Sequence, residues 1–268
     1  MKLLFIGDIV GRVGRDLVRR HVRTLAASVG ADLVIANGEN AAGGVGITRD
    51  NTMEFLSAGV DVITSGNHVW DKREALEFIK NEPRLIRPAN YPPGTPGLGS
   101  YVATTRAGVK VGVINVMGRV FLNPLDDPFR TTDREIATVR EQDAAVIFVD
   151  VHAETTSEKT ALGLYVDGRV SAVVGTHTHV QTADERILPG GTAYLTDVGM
   201  TGPHDGVIGM HRDAVLARFL TGLPGRFEPA SGDPRLHGAT ISIDAATGRA
   251  TAIERISLTE EQLKELAT

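Results

Sequence analysis

The sequence has no cysteine. This excludes disulfides, thiolate-bound zinc and iron–sulfur clusters, and leaves imidazole, carboxylate and amide oxygen as the donors available to a metal. Aromatic residues are scarce, at 5% with one tryptophan, and the formal charge is −5 over 268 residues. A general nucleic-acid binder needs the opposite, a basic face or stacking rings. No DNA partner is therefore expected, although a small anion is compatible with the chain where bound cations change the local charge. Long apolar runs are missing too: Gly7-Asp8 closes the first, at residues 3–6, far short of a secretory signal, and no later stretch reads as a membrane span. The expectation is a cytoplasmic protein with no membrane partner.

What the chain does contain is alternation. Short β-rich apolar runs at 2–6, 32–36, 60–64, 109–116, 144–149, 170–174 and 193–196 are separated by helical patterns, as in a βαβ succession around a mostly buried sheet. Val13, Leu17, Val18, Val22, Leu25 and Val29 place one apolar stripe on a first helix. Thr132 with Glu135, Thr155 with Glu158 and Thr259 with Gln262 have the spacing of capping boxes, and Asp71 with Glu74 is a looser version. Runs at 239–243 and 250–256 around a turn at 246–248 predict a hairpin, so the sheet should be mixed or doubled. With no repeat and no linker, residues 1–268 read as a single α/β domain. Three irregular stretches, 87–99, 117–130 and 199–211, are long enough to cover a site, as such loops do about as often as they pad a surface.

The polar residues that follow the strands carry the chemistry. Asp8, Glu39-Asn40, Asn67-His68, His152, and His177 with His179 each come just after an apolar run, so they should emerge together at the carboxyl edge of the sheet, where ligands bind in open α/β folds. Taken singly, each has an ordinary explanation: a strand-end Asp forms turns, an Asn after Gly does the same, and a lone His is a satisfied or solvated side chain. Taken jointly, four imidazoles, two carboxylates and two amides in one place are costly unless positive charge compensates them. Metal ions supply that charge. In Gly175-Thr176-His177-Thr178-His179, two imidazoles one residue apart on a tight turn can face two adjacent ions. This donor set suits Mn, Fe or Zn better than Ca, and a carboxylate such as Glu39 can bridge two ions.

A competing motif is Gly7, Gly11 and Gly14 after the first strand, which approaches a dinucleotide-binding fingerprint with the wrong spacing. Asp8 would also place a carboxylate beside the pyrophosphate, where backbone donors are needed. Of the other histidines, His21 on the first helix reads as structural. His204 and His211, in a glycine-rich loop, could reach a substrate and are assigned no role.

The strand-end blocks Gly7-Asp8-Ile9-Val10, Gly38-Glu39-Asn40, Gly66-Asn67-His68, His152 and Gly175-Thr176-His177-Thr178-His179 resemble the calcineurin-like metallophosphoesterase superfamily. Val10 stands where that pattern has histidine, and Glu39 where it usually has aspartate. Both departures, with residues 37–44, 87–92, 152–159 and 196–203, resemble the bacterial YmdB-type 2′,3′-cyclic-nucleotide phosphodiesterase branch over essentially the whole chain. The resemblance implies a four-layer α/β/β/α sandwich with mixed sheets, two iron or manganese ions (zinc and magnesium being compatible), and hydrolysis of 2′,3′-cyclic nucleotides. It also implies the ligand sets: Asp8, Glu39, Asn40 and His179 for one metal; Glu39, Asn67, His152 and His177 for the other. On this reading Glu39 bridges, Asn40 replaces the missing histidine, hydroxide between the two cations attacks phosphorus, and His68 protonates the leaving ribose oxygen. The partner is a small phosphate ester, and a homo-oligomer is compatible with these features. Two alternatives stay open: a metal-dependent phosphomonoesterase, and a regulatory or RNA-associated protein that retains the metal site.

Overall fold

Leu3, Leu4, Phe5 and Ile6 cannot all face one way from a strand, whose period of two sends alternate side chains to opposite faces. In the computed structural model, which describes residues 1–266, they lie on β1 (Lys2–Ile6), and both faces of this strand are covered. Leu3 and Phe5 join one buried cluster, whereas Leu4 and Ile6 join another. After β1 come β2 (Asp8–Ile9), α1 (Gly11–Val29), β3 (Leu33–Asn37), α2 (Arg49–Ala58), β4 (Val62–Thr64), α3 (Ala75–Phe78), β5 (Ser100–Thr104), β6 (Lys110–Met117), α4 (Pro128–Arg140), β7 (Val146–His152) and α5 (Thr156–Tyr165). Next are β8 (Ala172–Thr176), β9 (Arg186–Ile187), β10 (Ala193–Leu195), β11 (Met200–Pro203), α6 (Arg212–Thr221), β12 (Pro234–Ile243), β13 (Ala250–Thr259) and α7 (Glu260–Glu265).

Two mixed sheets result. The first has seven strands in the order β2-β11-β12-β1-β3-β4, with β13 paired to β12. In it β1, β3 and β4 run parallel, and β12 joins β1 antiparallel. The second has six strands in the order β5-β6-β7-β8-β10-β9; β6, β7, β8 and β10 are parallel, with antiparallel β5 and β9 at the edges. Phe5, Ile35, Val113, Phe148 and Val174 fill the space between the sheets, where the rings of Phe5 and Phe148 meet at 4.8 Å. Outside the first sheet lie α1 and α2, through Leu17, Val18, Val22, Leu25 and Phe55. Outside the second lie α4 and α5, through Ile136, Val139 and Leu162. The layers are therefore α/β/β/α, as the resemblance implied.

Two of the predicted capping boxes are overturned by better partners, one local and one distant in sequence. Asp127 caps α4, accepting from the amides of Phe129 and Arg130, because Pro128 at the first turn is already set for a helix start. Thr132 therefore lies inside the helix and donates to the Pro128 carbonyl. Thr155 does precede α5 but makes no side-chain cap, since Glu158 is drawn to the amides of Arg119 and Val120 in the loop above it. The box of Thr259 and Gln262 forms in full. The strands β2, β5, β9 and β11 lie outside the predicted runs; β2 and β9 span only two residues each, too few for a period to register. Among the described residues no helix is long and apolar enough to cross a membrane.

Candidate metal centre

The predicted site residues come from two sheet edges rather than one. Asp8 follows β1, Glu39 and Asn40 follow β3, and Asn67 follows β4, all in the first sheet, whereas His152 ends β7 and His177 and His179 follow β8 in the second. The carboxyl ends of the parallel strands in both sheets meet, and the side chains meet with them. His152 Nε2 lies 3.1 Å from Glu39 Oε1, 2.9 Å from Asn67 Oδ1 and 3.0 Å from His177 Nδ1. Asn40 Nδ2 lies 3.1 Å from both Glu39 Oε1 and His179 Nε2. One Asp8 carboxylate oxygen accepts the His177 amide at 3.2 Å, while the other is buried with no partner.

The outward-facing atoms show how these side chains are aimed. His152 Nδ1 bonds to Thr176 Oγ1 at 2.9 Å, and that hydroxyl donates to Asp150 at 2.7 Å. His177 Nε2 faces Glu154 at 3.0 Å, and His179 Nδ1 donates to the Ile208 carbonyl at 2.9 Å. Each imidazole thus has one ring nitrogen held from outside and the other turned inward, which is how metal-ligating histidines are oriented. His152 Nε2 faces a carboxylate oxygen, an amide oxygen and a second ring nitrogen, and the one proton it can carry does not satisfy all three. Donors bound to one ion at about 2.1 Å lie about 3.0–3.4 Å from one another, close to the separations around His152 Nε2. Ligand atoms of Glu39, His152 and His177 all lie within 4.8 Å of one another. By this test the residues fit a metal centre.

Close approach here depends on backbone that has no side chain or is strained. A Cβ on Gly66 would fall 2.3 Å from both Glu39 Oε2 and His152 Nε2, so only glycine lets the Asn67 loop cross the cluster. His177 and His179 both adopt left-handed backbone, with φ of 97° and 65°, a conformation that costs an L-residue roughly 1–3 kcal/mol and concentrates at functional sites. The glycines of the rejected dinucleotide motif serve packing: a Cβ on Gly7 or Gly14 would strike the carbonyl of Gly199 or Thr201.

Electrostatics within the cluster are equally unusual. Burial pushes Asp8 up to about 7. It would also raise Glu39, but the charge and hydrogen bond of His152 win and hold it down to about 2. For His152 burial favours the neutral ring, yet Glu39 holds its pKa up to about 9. Burial, together with the neighbouring charge of His152, pushes His177 down to about 3. The protein's own groups therefore compensate Glu39 with a proton on His152, at the point where a cation would serve instead.

His68 is not among the converging donors. Its amide donates to Glu39 Oε2 at 3.1 Å, while its half-exposed ring bonds through Nδ1 to Asp71 at 2.8 Å. Asp71 thus orients His68 instead of capping a helix, and α3 starts after Glu74 with no side-chain cap. Sequence reasoning missed the orienting groups Asp71, Asp150, Glu154 and Thr176. Asp150 had a signal, since it lies two residues before His152 in an apolar strand and so shares its face. The remaining histidines stay outside: His21 is buried on α1, His211 is exposed beside Asp213, and His204 stacks on His237 with ring centres 4.6 Å apart.

A family model described as YmdB-like protein matches residues 4–256. The chain belongs to this family. It is 53% identical to the 2′,3′-cyclic-nucleotide 2′-phosphodiesterase of Bacillus subtilis, over 98% of this chain and 99% of that protein. It is 36% identical to a putative phosphatase/phosphodiesterase of Mycoplasma genitalium, over 100% of this chain and 96% of that one. Among solved structures, a novel phosphatase of Mycoplasma pneumoniae superposes with a TM-score of 0.90 at 34% identity, covering 98% of this chain and 96% of that one. A 5′-nucleotidase precursor from Thermus thermophilus, at 15% identity and a TM-score of 0.59 over 100% of this chain and 58% of its own, shares the fold.

Proposed function

We propose that this YmdB-like chain, acting as one metallophosphoesterase domain in the cytoplasm, hydrolyses phosphodiesters, with 2′,3′-cyclic nucleotides as the preferred substrate class. The observation that carries the reading is the convergence of His152 Nε2 with Glu39, Asn67 and the inward nitrogen of His177, next to Asn40 and the inward nitrogen of His179, with each ring held from behind. A phosphodiesterase at 53% identity over nearly the full length supports the substrate class.

On this reading Asp8, Glu39, Asn40 and His179 hold one cation and Glu39, Asn67, His152 and His177 the other, with Glu39 shared and iron or manganese as the ions. Asn40 contributes with its amide turned so that oxygen faces inward. Bound there, the cations supply positive charge for phosphate oxygens and activate water as the nucleophile. Asp150 through Thr176, Glu154 and the Ile208 carbonyl fix which ring nitrogen of each of the three imidazoles faces inward, and keep it aimed. At the mouth His68, with Nδ1 fixed by Asp71, presents Nε2 to the departing ribose oxygen and donates the proton it needs.

The deciding experiment compares hydrolysis of 2′,3′-cyclic AMP, 3′,5′-cyclic AMP and p-nitrophenyl phosphate by protein of known metal content reconstituted with manganese or iron. Selective, chelator-sensitive cleavage of the 2′,3′-cyclic ester is expected. Preference for the monoester would make the chain a phosphatase, and no cleavage with two metals bound would leave the regulatory alternative.

A further inference from the structure

Two stretches of the chain, residues 152–159 and 196–203, contain charged residues that the proposed chemistry does not use, Lys159 and Asp197. Lys159 on α5 and Asp197 after β10 form an ion pair at 2.6 Å, with both side chains 1% exposed. Neither bonds to any of the side chains assigned to the cations. A buried ion pair is weak support for stability, because desolvation offsets most of its attraction. Its connections point to a different use.

The two oxygens of Asp197 go to two different places. Oδ2, besides meeting Lys159, accepts from the Thr178 amide at 3.1 Å and the Thr178 hydroxyl at 2.8 Å. Thr178 lies between His177 and His179, both in left-handed backbone, so this carboxylate oxygen grips the strained turn at its centre. Oδ1 accepts from the Gly199 amide at 2.9 Å, and the Gly199 carbonyl in turn accepts from the Asp8 amide at 3.1 Å. One oxygen therefore fixes the histidine turn that leaves β8 in the second sheet, and the other fixes, through one residue, Asp8 at the edge of the first. Glycine is required at 175 by the neighbouring backbone, since a Cβ there would fall 1.8 Å from the Thr196 carbonyl oxygen, with Lys159 Cδ 2.8 Å away.

We propose that Lys159 and Asp197 form a positioning clamp that sets the spacing between the two sheet edges and hence between the donors of the two cations. Lys159 pairs with Asp197 in the interior, and the Asp197 carboxylate offers one acceptor to each sheet edge. Asparagine could serve only one side, because its amide nitrogen donates. The inference rests on the two-cation reading above and concerns residues that touch neither cation.

The test is Mn2+ binding to metal-free protein, followed by calorimetry and by the electron paramagnetic resonance signal of exchange-coupled Mn2+ pairs. The variants are Lys159→Met/Asp197→Asn, which neutralises the pair while roughly keeping its volume, and Thr178→Val, which removes the hydroxyl's bond to Asp197 and its long bond from the Val180 amide and leaves the ion pair in place. Outer-shell groups of this kind change metal affinity by about 10- to 100-fold. The double variant should show a loss of that size and lose the coupled signal at saturating Mn2+, at temperatures where its circular dichroism is native. Thr178→Val should lose several-fold in affinity with an unchanged melting temperature. Wild-type affinity and coupling in Thr178→Val, or in a folded double variant, would overturn the clamp. A wild-type protein that binds Mn2+ without coupling would instead overturn the two-cation reading on which it rests.

Discussion

Loading metal-free protein with Mn2+ should release protons, and the structure sets a lower bound on how many. Ligation needs every donor lone pair, so any proton held by a ligand must leave. His152, held up to about 9, is fully protonated at pH 7, and Asp8, raised to about 7, is half protonated. Glu39 at about 2 and His177 at about 3 carry none. The first two groups together release about 1.5 protons at pH 7, about 1.9 at pH 6 and about 1.0 at pH 8. Affinity should therefore rise with pH, by roughly 30-fold per unit near neutrality, and flatten above pH 9. Titration calorimetry in buffers of different ionisation enthalpy counts the protons directly. A bound water that ionises adds to the number, so 1.5 is a floor. Release of less than about half a proton at pH 7, or affinity that fell as pH rose, would refute the assignment of His152 and Asp8 as ligands.

Other outcomes follow from single contacts. His68→Ala should keep the metal content of the native protein and lose about 100- to 10,000-fold in kcat; metal analysis beside steady-state kinetics would expose a ligand role if the metals left instead. Glu39→Gln should weaken both ions together, and an unchanged metal content by mass spectrometry would exclude a shared carboxylate. Gly66→Ala, with its Cβ 2.3 Å from two of the converging atoms, should fold yet bind Mn2+ poorly; native affinity would show that the loop yields. His237, pushed by burial and by His204 down to about 4 from 6.5, stays neutral in the fold but protonates in the unfolded chain. Stability is therefore intact above about pH 6.5 and falls as pH drops toward 4, by about 2 kcal/mol after discounting partial exposure. Denaturant melts of His237→Gln should show a shallower acid limb, and an unchanged limb would assign the loss elsewhere.

Much of the frame was legible because the physics that builds it is local. Unbroken apolar runs such as residues 2–6 mark strands buried on both faces, and the stripe through Leu17, Val18, Val22 and Leu25 marks the helix that covers one of them. The convergence of the site's side chains was legible for the same reason, since each follows a strand. Their division between two sheet edges was not, because a strand's sequence records that it is buried and not which sheet it enters. The capping box at Thr132 was misread because Asp127 with Pro128, a stronger local start, lies just upstream, and the one at Thr155 because the amides of Arg119 and Val120, distant in sequence, take Glu158.

The orienting residues stayed hidden for a deeper reason. Asp150, Glu154, Asp71 and Asp197 are acidic residues in a chain with 33 of them, and what distinguishes these four is the partner each one faces. Thr176 shows the point: it is one unremarked residue of the histidine block, yet its hydroxyl takes the His152 Nδ1 bond and passes it to Asp150. Removing that hydroxyl in Thr176→Val would leave the His152 ring nearly isosteric but free to turn, with a buried nitrogen unpaired. Metal affinity should then drop about 10-fold or more while Glu39, Asn67 and His177 remain in place. Thr176→Ser, which keeps the hydroxyl, should restore most of it. If both variants bound Mn2+ alike, the aim of His152 would come from packing alone, and the hydrogen-bonded chain to Asp150 would be incidental to the metal centre.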